Sequence, residues 1–213
     1  MNNQEKDLIN NTSGPPVVTG AQASSAEPVS SFVWELAKIL MLALVIVIPL
    51  RFLVFQPFIV SGSSMDPNFH HGDYLVIDEI SYRFGNPARG DVVVVRSPQD
   101  DSVFFIKRVI GLPKEKVVFT NNKVKIYRSD AAGGETLSED YLPPGTRTAA
   151  FNQPTVKLGP DEYFLLGDNR EASSDSRVWG PLPRREIVGR AFVRMFPITR
   201  FSLIDSPVYA LPN

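Results

Sequence analysis

The sequence has no cysteine, only two histidines and almost no net charge, and each shortage excludes a class of function. Without cysteine, disulfides, thiolate nucleophiles and cysteine-ligated metals are excluded. A net charge of −1 gives no electrostatic reason to expect nucleic acid as a partner. The two histidines, His70 and His71, are adjacent, and neighbouring side chains on a strand point to opposite faces. We expect both to be ordinary surface or loop residues, so any hydrolase here would move protons without histidine.

The sequence also lacks a long uninterrupted apolar run. Between Lys38 and Arg51, the charge-free stretch Ile39–Leu50 is only 12 residues long. A membrane span needs about 20 residues, and a run of 10–14 also fits a core helix or the apolar part of a signal peptide. The flanks favour a span, because Trp34 suits a membrane interface and the two cations can extend outward. We therefore predict a single transmembrane helix over residues 32–55, with a buried helix as the alternative.

The rest of the chain divides by composition. Residues 1–31 are rich in Asn, Ser, Gly, Pro and Ala, which predicts a disordered tail. Residues 56–205 are predicted to form a mostly β domain, a β-barrel or coiled sheet, with 129–154 as an inserted loop and 206–213 as a C-terminal tail. Short runs of Val, Ile, Phe and Tyr predict its strands at 74–80, 91–97, 103–111, 116–119, 123–127, 155–158, 162–167 and 187–196.

Three segments are too polar and too specific for a plain β-domain. The first is SGSSMDP at 61–67, where a serine in a bend can present its hydroxyl and its own N–H to one point. The second is FFIKRVIG at 104–111, where burial of Lys107 in an apolar strand would lower its pKa and make it a general base. The third, GDNREASSDSRVWG at 167–180, suggests a hydrogen-bonded loop that orients other groups. Taken singly, each also fits a plain structure: a loop, an exposed lysine and a solvated turn.

Together and in this order, the segments resemble the sequence boxes of type I signal peptidases. The resemblance rests on Ser64 before Met-x-Pro, on the Ile-Lys-Arg strand, on GDNR-x-x-S-x-D-S-R-x-W-G, and on RGDVVVV at 89–95. It covers about residues 58–196 and leaves out the 129–154 insertion. It implies a serine endopeptidase that removes signal peptides from exported preproteins, cleaving after small residues at −1 and −3.

The resemblance also implies roles at the reacting centre. Ser64 would be the nucleophile and Lys107 its general base, in a Ser–Lys dyad that needs no metal or cofactor. Ser173 would hydrogen-bond and orient the lysine. The Ser64 N–H would be one donor of the oxyanion hole. Gly62 would share the oxyanion hole, although some family members carry at this position a serine whose hydroxyl donates to the oxyanion. Here the second donor remains open between a backbone N–H and the hydroxyl of Ser61 or Ser63.

Around that centre the resemblance implies two ion pairs and a groove. Arg108 would pair with Asp168 and Arg177 with Asp175, and both pairs would shape the site without reacting. The substrate would add as a strand to the groove, with small side chains entering shallow apolar pockets. The residues expected to line this groove are Phe58, Val60, Met65, Phe105 and Ile106.

The expected partners are signal-peptide-bearing preproteins and the lipid bilayer, with the protein itself a monomer. We expect a single-pass protein of the cytoplasmic membrane, with the N-terminus in the cytoplasm and the catalytic domain outside, since Lys6 and Lys38 precede the apolar run. Two alternatives remain. A self-cleaving repressor uses the same dyad on a related fold but would carry a basic DNA-binding domain. A catalytically inactive β-domain would only bind export substrates.

Overall fold

The computed structural model describes residues 29–129, 133–207 and 209. By its contacts the chain divides into two units, Met1–Ala43 and Leu44–Asn213. Most of the predicted N-terminal tail, 1–31, lies outside the described residues. So do positions 208 and 210–213 of the predicted C-terminal tail.

Helix α1 spans Val29–Val54. Its large apolar side chains between Phe32 and Val47 are exposed, and Lys38 donates to Glu35 at 2.6 Å one turn away. Within the part of the chain that the structure describes, no helix combines the length and the apolar content of a membrane span. The transmembrane helix predicted for residues 32–55 is thus unconfirmed and stays a prediction.

Short antiparallel strands make up most of the remaining structure. The strands are β1 Phe55–Ile59, β2 Tyr74–Asp78, β3 Val92–Arg96, β4 Phe104–Gly111, β5 Lys116–Thr120, β6 Lys123–Tyr127, β7 Glu135–Thr136, β8 Thr155–Lys157, β9 Glu162–Leu166, β10 Leu182–Pro183, β11 Ile187–Phe196 and β12 Ser202–Leu203. Two short helices, α2 Ser81–Phe84 and α3 Ser176–Trp179, lie between strands. The mostly β prediction is confirmed.

The strands form two open sheets. The larger has the order β1-β2-β11-β3-β4-β9-β10, with β12 paired to β11, and the smaller has the order β7-β6-β5-β8. Val92–Val95 of β3 are all buried, because this strand lies inside the larger sheet and is covered on both faces. The next strand, β4, is buried from Ile106 to Gly111, and this carries Lys107 and Arg108 into the interior.

The smaller sheet shows the alternation expected of a sheet with one covered face. In β5 and β6 the side chains of Val117, Phe119, Val124 and Ile126 are buried and form its core. Between these strands, Asn121 and Asn122 have φ values of 49° and 59°. Asparagine tolerates this left-handed region, and such residues make the tight hairpin turn that the sequence predicts. The predicted hairpin is confirmed.

Every strand predicted from the sequence is present. The two-residue strands β7, β10 and β12 were not predicted, and β7 lies in the segment 129–154 that was predicted as an inserted loop. Nor was β1 predicted. Its residues continue the apolar run of the helix, and Pro57 within it argues against a strand. Because β1 is the edge strand of the larger sheet, a proline is tolerated there. Its pairing with β2, which sets Phe58 opposite Leu75, gives β1 its conformation.

Candidate active site

A closed loop between β1 and β2 carries Ser64. The Val60 N–H donates to the Asp73 carbonyl and the Gly72 N–H to the Val60 carbonyl, both at 2.9 Å, so the two ends of the loop meet. Beneath it, Met65 and Phe69 are 1% and 3% exposed and join the core of the larger sheet. These buried side chains fix the loop, and Ser64 lies between its anchored parts.

Strand β4 brings Lys107 to this serine. Lys107 is 3% exposed, and its Nζ lies 2.9 Å from Ser64 Oγ and donates to the Ile106 carbonyl at 2.9 Å. Desolvation by burial lowers the pKa of Lys107 from 10.5 to about 8, although the charges of Asp175 and Asp168 oppose the change. At pH 7 about one Lys107 in ten is then neutral, against about one in three thousand at the ordinary pKa.

The loop after β9 closes over Ser64 from another side. The Asn169 N–H donates to the Ser64 carbonyl and its amide Nδ2 to the Ser63 carbonyl, both at 3.1 Å. At Gly167 a Cβ atom would lie 2.1 Å from Ser173 Oγ and 2.4 Å from the Ser64 carbonyl oxygen. Only glycine allows this approach, so packing against the loop that carries Ser64 requires the glycine of the GDNR segment.

Ser173 differs from expectation. It is 6% exposed, and its Oγ has no hydrogen-bond partner within the described residues, so the predicted bond to Lys107 is not formed in this structure. Lys107 Nζ instead contacts Ser64 Oγ and the Ile106 carbonyl. Ser173 remains close to the site, because both it and the Ser64 carbonyl pack against Gly167.

The two predicted ion pairs are present and buried. Arg108 donates to Asp168 through Nε at 2.8 Å and Nη2 at 2.6 Å, and Arg177 donates to Asp175 through Nε and Nη2, both at 2.8 Å. Burial by itself would lower the pKa of Arg108, but Asp168 outweighs it and the pKa is raised. Asp175 also accepts from the Gly167 N–H at 3.1 Å. The pairs therefore tie β4 and the loop after β9 into one buried network.

A cavity of about 80 Å³, lined mostly by apolar residues, opens beside the serine–lysine pair. Four of the five predicted groove residues line it: Phe58, Val60, Phe105 and Ile106. Met65 does not line it, because its side chain packs in the core under the loop. Further lining residues are Ile59, Ser61, Ser64, Leu75, Val94, Phe104 and Lys107.

Gly62 has a φ of +91°, and its N–H donates to His71 Nδ1 at 3.3 Å. That N–H already has a partner, so it would have to leave His71 before serving an oxyanion. The structure therefore does not favour Gly62 as the second donor.

The two histidines lie near the same loop. His71 is exposed, as expected, but its Nδ1 accepts from the Gly62 N–H. His70 Nδ1 lies 2.6 Å from Arg200 Nη1.

Sequence reasoning missed several polar residues that contact this network. Asn68 donates to Asp168 at 2.8 Å, and Asn169 donates to the Ser63 and Ser64 carbonyls. Asn169 stands inside the segment 167–180 and Asn68 directly follows the segment 61–67, so both could have been examined there. Tyr141 and Glu139 lie in the 129–154 insertion, which carries no motif. Among the residues that the structure describes, no three histidine or acidic side chains converge to hold a metal ion.

A buried amine against a serine hydroxyl, beside an apolar cavity, is an arrangement suited to hydrolysis. The family model described as "Signal peptidase, peptidase S26" matches residues 33–196. The chain is 39% identical over 184 residues to "Probable signal peptidase I-1" of Synechocystis sp., an alignment that covers 82% of this chain and 88% of that protein.

Two further relatives agree. "Signal peptidase I" of Leptolyngbya laminosa is 35% identical over 202 residues, covering 90% of this chain and 94% of the relative. "Signal peptidase I" of Bacillus caldolyticus is 32% identical, covering 75% and 90%. The chain belongs to the signal peptidase family, peptidase S26. The predicted family, the predicted function of signal peptidase I and the predicted enzyme class of serine peptidase are confirmed.

Proposed function

We propose that this protein cleaves signal peptides from exported preproteins through an acyl-enzyme formed on Ser64, with Lys107 as the general base. The observation that carries the proposal is the 2.9 Å contact between Lys107 Nζ and Ser64 Oγ, at a lysine whose pKa is lowered to about 8. A neutral amine at that distance can take the hydroxyl proton directly.

The chemical steps follow from this geometry. Neutral Lys107 takes the proton of the Ser64 hydroxyl as Oγ attacks the scissile carbonyl. The lysine, now an ammonium, gives a proton to the leaving amine as the peptide bond breaks. It then takes a proton from the water that attacks the acyl ester and gives that proton to Ser64 Oγ as the ester bond breaks, which restores both the serine hydroxyl and the neutral lysine. The Ser64 N–H stabilises the oxyanion. When Lys107 is an ammonium it has three N–H donors, and Ser173 Oγ accepts a hydrogen bond from one of them.

The substrate enters as an added strand beside the cavity. Its backbone aligns with Phe58–Val60 on one wall of the cavity and with Phe104–Ile106 of β4 on the other. Strand β9 pairs with β4 only from Arg108 onward, so β9 leaves the Phe104–Ile106 part of that edge to the substrate. A cavity of about 80 Å³ accommodates small side chains, which supports cleavage after small residues at −1 and −3. The ion pairs Arg108–Asp168 and Arg177–Asp175 shape this site and do not react.

We propose that the protein is a monomer of the cytoplasmic membrane, with residues 32–55 as the anchor and 56–205 as the extracytoplasmic catalytic domain. The apolar run Ile39–Leu50 and the exposed apolar side chains of α1 support the anchor. Ile59 and Phe104, which line the cavity, are 57% and 44% exposed and support lipid contact by the catalytic domain as well.

The decisive experiment is cleavage of a purified preprotein by the purified protein in detergent. We expect one cut after the small residue at −1, and loss of cleavage when −1 or −3 is changed to phenylalanine. Mass spectrometry of the products locates the cut. Binding of the preprotein without cleavage would overturn the enzymatic proposal and leave a substrate-binding domain.

A further inference from the structure

Three side chains of the inserted segment 129–154 converge on one arginine, Arg170, in the loop after β9. They are Glu139, Tyr141 and Thr148, which we call the clasp. Each contacts Arg170, whose guanidinium is completely buried: Glu139 accepts at 2.9 Å and 2.5 Å, the Tyr141 hydroxyl at 3.1 Å, and Thr148 Oγ1 accepts as well. The inserted segment is thus bound to the same loop that carries Asp168 and Asp175.

Tyr141 also contacts both side chains that donate to Asp168. Its ring lies 4.1 Å from the guanidinium carbon of Arg108, and its carbonyl accepts from Asn68 Nδ2 at 3.0 Å. Arg108 and Asn68 are the groups that compensate the Asp168 carboxylate, at 2.6–2.8 Å. The arrangement of charge around Asp168 therefore depends on Tyr141.

We propose that Tyr141 is a positioning residue that keeps the general base Lys107 reactive, by holding Arg108 and Asn68 against Asp168. This inference rests on the proposed Ser64–Lys107 mechanism and gives the inserted segment a part in it. Tyr141 touches neither reacting atom, so it acts through the other residues.

The physical link is electrostatic. The groups that act on Lys107 are Ser64 at its amine and the carboxylates of Asp168 and Asp175, whose charges raise its pKa against the desolvation that lowers it. When Arg108 is free to move, the charge of Asp168 is less compensated, and water entering behind it reduces the desolvation. Both changes favour the ammonium and raise the pKa of Lys107.

Tyr141 itself does not titrate in the relevant range. Its burial, and next the charge of Glu139, raise its pKa above the ordinary value. Its hydroxyl donates to Glu139 at 2.8 Å and stays neutral throughout. Tyr209, the other buried tyrosine that interacts with Tyr141, also has a raised pKa, with burial as the main cause. A movement of the pH profile in a Tyr141 variant therefore reports on Lys107.

The test is kcat/KM for a signal-peptide substrate between pH 6 and 10.5, measured on the full-length protein in detergent and corrected for active sites with an acylating inhibitor. In the unmodified protein, kcat/KM should rise with pH as Lys107 loses its proton and then level off. For Tyr141→Ala we expect this rising limb to move to higher pH by about one unit. That shift means about tenfold lower kcat/KM at pH 7, with the plateau at high pH within about threefold of the unmodified protein. Both variants keep the backbone carbonyl that accepts from Asn68, and Tyr141→Phe also keeps the ring against Arg108, so it should restore most of the profile.

Tyr127→Ala is the matched control. The Tyr127 ring also stacks on cations, Lys116 at 4.7 Å and Lys125 at 5.3 Å, but those lysines belong to the smaller sheet. The control should leave the limb in place. If Tyr141→Ala does not fold, Asn68→Ala removes one of the donors to Asp168 and should move the limb in the same direction.

The outcomes separate this inference from the proposed mechanism. A loss of equal size at every pH in the Tyr141 or Asn68 variant shows a merely structural role and overturns the inference alone. An equal shift in Tyr127→Ala overturns it too, because the effect would not be specific to the clasp. An unmodified protein without a rising limb overturns the lysine mechanism, and the inference with it.

Discussion

The amine nitrogen of Lys107 lies 2.9 Å from the hydroxyl oxygen of Ser64, although 43 positions separate the two residues in the sequence. One is fixed in a buried strand and the other in a loop anchored by core side chains. Neither has a histidine as partner. In the proposed mechanism, the reactivity of the serine depends on the protonation state of one lysine, and four of the predictions below follow from this pair and its loop.

Ser64→Ala and Lys107→Ala should each reduce cleavage to background, and the double variant should lose no more, because the two residues act as a unit. Lys107→Arg should fail as well, since a guanidinium stays protonated. The measurement is kcat/KM on a preprotein, with the exposed Lys123→Ala as control. Activity retained by Lys107→Ala would remove lysine from the role of base.

The pH dependence should show a single rising limb. With the pKa of Lys107 lowered to about 8, single-turnover kcat/KM should rise about tenfold per pH unit below pH 8 and level off above it. Chelators should leave the rate unchanged. Rate profiles between pH 5.5 and 10 with and without EDTA are sufficient. A rate that collapses in EDTA contradicts a lysine-based mechanism.

Lys107 should reduce the stability of the folded protein at neutral pH. A pKa that falls from 10.5 to about 8 on folding corresponds to about 3 kcal/mol, at ~1.4 kcal/mol per unit. Below pH 8 the lysine is charged in both states, and the folded state carries the whole penalty. Between about 8 and 10.5 the unfolded chain binds more protons, so stability rises with pH.

Lys107→Met should therefore raise the free energy of unfolding at pH 7 by up to about 3 kcal/mol. The gain should shrink as the pH rises from 8 to 10.5. Urea unfolding at several pH values measures it, with Lys123→Met as the exposed control. A Lys107→Met protein less stable than the original at pH 7 would show that the buried amine is fully compensated by its hydrogen bonds.

Substitutions at Gly62 should act through backbone strain. A Cβ atom there would meet nothing within 4 Å, so crowding is not the difficulty, but the φ of +91° is one that L-residues rarely adopt. Gly62→Ala should distort the loop at a cost of about 1–2 kcal/mol and lower the acylation rate, and the β-branched Gly62→Val should do more. Acylation kinetics and thermal unfolding together check this. An alanine variant with the original rate would show that the loop works in another conformation.

Deletion of residues 1–54 should leave β1 intact and give a domain that still cleaves peptides. It should still bind detergent or lipid vesicles, because Ile59, Phe104, Ile198 and Phe201 are exposed apolar side chains of the remaining unit. Vesicle flotation and light scattering measure this. A truncated protein that stays a soluble monomer and does not float would contradict lipid contact by the catalytic domain.

Local sequence pattern determined much of this protein. Alternating β-branched and aromatic residues predicted the main strands, and Asn121-Asn122 predicted its hairpin, because these features depend on neighbours along the chain. The serine loop, the lysine strand and the GDNR segment identified the family and named Ser64, Lys107 and both ion pairs. These residues are recognisable because each keeps a fixed place within a short motif.

The tertiary structure alone decided how those segments meet. Ser173 lacks the predicted bond to Lys107, since hydrogen bonds between distant segments follow no sequence period. The Gly62 N–H binds His71 within the same loop, because the loop closes on itself. The same holds for β1, which becomes a strand by pairing with β2. Tyr141 lies in a segment without any motif, and only packing brings its ring onto Arg108 and its carbonyl to Asn68. Burial, which lowers the pKa of Lys107, is likewise a property of the assembled sheet.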